Sequence, residues 1–71
     1  RRVTQGELVE LLLASDREIE VHLHGYDLEA KVAPGAPVSL IFDADVAGRF
    51  PLSAHIGRAE STLAHIEVYP R

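Results

Sequence analysis

Glu18-Ile19-Glu20-Val21-His22-Leu23-His24 decides the fold. Apolar and polar residues alternate through it, so Ile19, Val21 and Leu23 share one face. Glu20, His22 and His24 take the other. A period of two marks a half-buried β-strand, because successive Cβ atoms point to opposite sides of the backbone.

The pattern repeats downstream. Leu28, Ala30 and Val32 are in phase within residues 27–32, and Val38, Leu40 and Phe42 within residues 38–42. Phe50, Leu52, Ala54 and Ile56 alternate in residues 50–56. Pro51 cannot donate to a ladder, so that strand is expected to be an edge or bulged strand. Residues 63–69 give a closing strand with Ile66 and Val68 on one face, ended by Pro70. Turn signals separate these runs at Gln5-Gly6, Ser15-Asp16, Gly25, Pro34-Gly35, Asp43 to Asp45, Gly48 and Gly57. Short segments punctuated this often predict a sandwich or barrel of about six to seven strands.

Residues 6–14 read two ways. Leu8, Leu11 and Leu12 share a helical face among good helix formers, whereas Val9, Leu11 and Leu13 alternate as in a strand. The surrounding pattern favours a strand. With leucine on both faces, such a strand is expected to be covered on both, by the core and by a neighbouring segment or subunit.

The 71 residues make a single domain, 1–71, with a modest core. There is no cysteine, so no disulfide staples it. The hydrophobic share of 46% and charged share of 25% are those of a folded soluble domain. Net charge is −4 and the one local basic pair is Arg1-Arg2, which argues against nucleic acid as a partner. No apolar run is long enough to span a membrane. No basic segment followed by an apolar one marks a signal peptide within these residues.

The run His24-Gly25-Tyr26-Asp27-Leu28-Glu29 resembles the cupredoxin superfamily, especially the plastocyanin-like domains related to cytochrome oxidase subunit II. In that family a strand ends in a histidine, then a small residue, then an aromatic. Pro34-Gly35-Ala36-Pro37, the stretch Phe42 to Phe50 and the closing Ile66-Glu67-Val68 are similar to the family as well. The likeness covers roughly residues 3–68. It implies an all-β Greek-key sandwich, with a first strand upstream of Arg1, and a periplasmic or otherwise extracytoplasmic setting.

The resemblance stops at the metal loop. Where the family has Cys, then His, then Met, this chain reads Ser53 to His65, and it holds no cysteine or methionine at all. A blue-copper centre needs a thiolate beside its two imidazoles, so that centre and its electron transfer are excluded.

Four histidines remain as metal candidates: His22, His24, His55 and His65. His22 and His24 lie at i and i+2 and share a strand face. By the resemblance, His24 matches the first copper ligand, His55 lies near the thiolate position and His65 near the later ligands. The favoured pair is His24 with His55. Neutral imidazoles suit copper or zinc, although a His-X-His on a wet strand face is more often unliganded.

Other constellations are weaker. Asp43 and Asp45 lack the ligand series of a calcium loop. Ser53 and His55 lack a nucleophile elbow or oxyanion loop. Tyr26 reads as a wedge against the sandwich rim. The expected role is therefore a non-enzymatic binding or structural module, with self-association through an open sheet edge. The alternative is a histidine-only copper or zinc protein for transport or buffering.

Overall fold

Each alternating run becomes a strand, and no helix forms in the computed structural model, which describes residues 1–71. The strands are β1 (Arg2–Thr4), β2 (Leu8–Leu13), β3 (Ile19–Leu23), β4 (Leu28–Val32), β5 (Val38–Asp43), β6 (Gly48–Ile56) and β7 (Ala59–Tyr69). Five form one sheet in the order β1-β7-β6-β3-β4, and β2 pairs with β5 in a second. All pairings are antiparallel except β1 with β7.

The chain changes sheets four times, at the β1–β2, β2–β3, β4–β5 and β5–β6 connections, and this ties the layers together. β2 and β3 are consecutive but lie in different sheets, and so do β5 and β6; β2 pairs β5 while β3 pairs β6. The result is a small β-sandwich with a curled five-stranded layer.

The core lies between the layers. Val21 and Leu23 of β3, Val32 of β4, Leu52 of β6 and Ile66 and Val68 of β7 face Val9, Leu40 and Phe42 of the smaller sheet. These are the apolar phases of the alternating runs, with Val9 deciding the ambiguous segment in favour of a strand. The other face of β2 is bare: Leu8 is 71% exposed and Leu12 74%.

Pro51 sits inside the five-stranded sheet, not at its edge. A ladder residue directs its N–H and C=O to the same neighbour. The Pro51 carbonyl accepts the His24 N–H at 3.0 Å, so its donor-free nitrogen also faces β3, just beyond the last β3–β6 pair, Leu23 with Leu52. The strand that carries Pro51 is thus neither an edge nor itself bulged; the bulge lies in the neighbouring β7. The β6–β7 register shifts between Leu52 and Ser53, leaving Leu63 as the extra residue.

The aromatic run after His24 forms the β3–β4 turn. Gly25 and Asp27 adopt positive φ there, 90° and 56°. Tyr26 packs between Phe42 and Phe50, with ring centroids 5.0 and 4.8 Å away. Its hydroxyl donates to the Val46 carbonyl at 2.7 Å and accepts the Val46 N–H at 3.1 Å. This clasp pins the β5–β6 loop to the turn at one end of the sandwich.

Candidate functional site

Register sorts the polar residues on the outer face of the large sheet into rows. One row runs Lys31, Glu20, His55, Glu60 across β4, β3, β6 and β7. The next runs Glu29, His22, Ser53, Thr62. In the third, His24 bonds through its backbone to Pro51, which stands opposite His65.

The bulge at Leu63 sets part of this arrangement. Counting back from Ile66 and Val68 with unbroken alternation puts Glu60 on the core side. The extra residue reverses the phase, so Thr62 and Glu60 come to the outer face. Glu60 then meets His55, with its Oε2 at 2.8 Å from Nε2.

His22 is the centre of the cluster. Its Nε2 lies 2.9 Å from Glu20 Oε1, and its Nδ1 lies 3.6 Å from Glu29 Oε1. The first is a hydrogen bond and the second an ion-pair distance. The His55 ring meets the His22 ring edge-on, centroids 4.8 Å apart, and the His24 ring lies 6.3 Å from it, tilted. The His22 side chain is 25% exposed. A neutral imidazole carries only one N–H, so a neutral His22 serves only one of its two carboxylates.

The four histidines are thus not equivalent. His22 touches both His24 and His55. The pairing favoured from the sequence, His24 with His55, spans two rows, about 13 Å of backbone at roughly 3.3 Å per residue. His65 makes none of these ring contacts; its carbonyl accepts the terminal ammonium of Arg1 at 2.8 Å.

Glu20, Glu29 and Glu60 were not singled out from the sequence, yet they are the closest partners of the rings. Same-face alternation within β3 gives a signal for Glu20, and hairpin arithmetic gives one for Glu29. With the turn at residues 24–27, Leu23 opposes Leu28, which sets His22 against Glu29 and Glu20 against Lys31. Glu60 depends on the bulge and has no such signal.

Glu20, His22 and Glu29 each offer a donor atom within 4.8 Å of the others. An open depression of about 310 Å³ adjoins them, lined in part by Glu18, Glu20, Lys31 and His55. Ser53 is 4% exposed, beyond the reach of a substrate as a nucleophile. Asp43 ends β5 opposite Leu8 and contributes to no such donor group. No helix is long and apolar enough to cross a membrane. No family profile, curated protein or solved structure matches this chain.

Proposed function

We propose that this chain is a non-enzymatic, cupredoxin-like module of an extracytoplasmic protein, and that it works by association through its two-stranded sheet. The observation that carries this is the outer face of that sheet. Leu8 and Leu12 stand out from β2, and Ile41, 56% exposed, stands out from β5 opposite Glu10 between them. Burying three such side chains is worth about 1.5–3 kcal/mol each, while leaving them in water stabilises nothing.

The occupant is a second copy of the chain. β2 has only β5 as a strand partner, but its Glu10 carbonyl already accepts from the Arg1 guanidinium at 3.4 Å, so the contact is made by the face rather than the edge. Two-fold packing of the two outer faces sets the same patch against itself, so Leu8, Leu12 and Ile41 of each copy meet apolar surface. The cupredoxin resemblance, carried by His24-Gly25-Tyr26, supports the extracytoplasmic setting, and the missing thiolate supports a role other than electron transfer.

Light scattering across a range of concentrations tests this. The wild-type mass is expected to rise to that of a dimer, and Leu12→Glu to hold the chain as a monomer with an unchanged circular dichroism spectrum. A wild-type monomer at all concentrations refutes the proposal, as does a dimer that Leu12→Glu leaves intact.

A further inference from the structure

The geometry points to a site for one divalent first-row transition-metal ion, such as zinc(II) or copper(II), built by Glu20 and His22 of β3 and Glu29 of β4. It lies on the opposite outer face from Leu8 and Leu12, so a variant at either face leaves the other in place.

Three features carry the assignment. First, the three donors come from two hydrogen-bonded strands, with His22 directly opposite Glu29. Their donor atoms lie within 4.8 Å of one another, so small rotamer changes bring them onto one ion at about 2.0–2.2 Å. Second, His22 has a carboxylate at each ring nitrogen, 2.9 and 3.6 Å away. Whichever ring nitrogen takes the ion therefore already has a carboxylate beside it. Third, the ring is held in place. It is three-quarters buried at the side chain and abuts His55, which is itself fixed by Glu60 at 2.8 Å.

The donor set selects the ion. An imidazole with carboxylates suits zinc and copper, and the affinity order places copper(II) highest. Calcium and magnesium prefer all-oxygen sites. Lys31 stands opposite Glu20 in the register without an ion pair to it, so the Glu20 carboxylate is not held by a lysine.

Calorimetric titration of zinc(II) into the chelator-treated full chain tests the site, with copper(II) followed in parallel by electron paramagnetic resonance. One ion per chain is expected, with nitrogen hyperfine structure on the copper signal. Glu29→Gln and His22→Gln are each expected to weaken zinc binding about tenfold or more, and His65→Gln to leave it unchanged. Glu29 is well exposed, so Glu29→Gln keeps the fold, and circular dichroism checks this. Absence of saturable binding overturns the site. So does wild-type affinity in Glu29→Gln, or a loss in His24→Gln or His65→Gln that Glu29→Gln does not show.

Discussion

At Gly25 two constraints act on one residue. Its φ of 90° lies where an L side chain is strained, and a Cβ there runs into the Phe50 ring. Positive φ costs roughly 1–2 kcal/mol for a residue with a side chain, and forcing extra volume into packed aromatic rings costs roughly 1–3 more. Gly35 separates the two effects, because its φ is 72° yet nothing lies near its added Cβ. Gly35→Ala is therefore expected to lose only the backbone part, and Gly25→Ala at least about 1 kcal/mol beyond it. Urea unfolding of the two variants measures the difference. Equal losses would mean that Phe50 is free to move and that the clasp around Tyr26 is loose. The same clasp explains why this turn reads so clearly in the sequence: a glycine, an aromatic and an Asp at positive φ each answer a separate local demand.

Among the elements, β2 is the one whose type was ambiguous, and its two faces now make opposite predictions. Val9 is buried against the core while Leu12 is solvent-exposed three residues on. Val9→Ala is expected to cost about 2 kcal/mol, from two lost methyl groups and the space they leave. Leu12→Ala is expected to stay within about 0.5 kcal/mol when measured below the concentration at which copies associate. A helix would have put Leu8, Leu11 and Leu12 inside together, and equal costs at both positions would speak for that packing. β3, β4, β5 and the second half of β7 were legible because one face of each is apolar in strict alternation. The first half of β7, Ala59 to Leu63, was not. Its residues are exposed on both sides and its phase breaks at the bulge, so no period of two survives. β6 was legible as a strand, but its interior place was not, because Pro51 signals an edge unless the end of the β3 ladder is known. The candidate site shows the same division. Four histidines are visible in the sequence, and Glu20 shares the His22 face by simple alternation, whereas the Glu29 and Glu60 partners follow from cross-strand register, which is a property of the folded sheet.

For the whole molecule, the dimensions show an open, elongated sandwich. The radius of gyration is 12.3 Å against about 11 Å for a compact chain of this length. The accessible surface is 4714 Å², above the roughly 4,400 Å² expected for its mass. Only 13 of 71 residues are buried, so the stability of a lone copy falls at the lower end of the usual range of roughly 0.05–0.15 kcal/mol per residue. In the proposed dimer, association contributes a large fraction of the total, and mass action makes that contribution visible. Above the dimer dissociation constant, each tenfold rise in concentration adds about 0.7 kcal/mol per protomer. For a domain of this size that raises Tm by about 3–5 °C. Thermal melts over a hundredfold range of concentration are expected to show this climb for the wild type. Leu12→Glu, which sets a charge in the patch without touching the core, is expected to melt at one temperature throughout. A concentration-independent wild-type Tm would show that the bare face of β2 contributes nothing through a second copy.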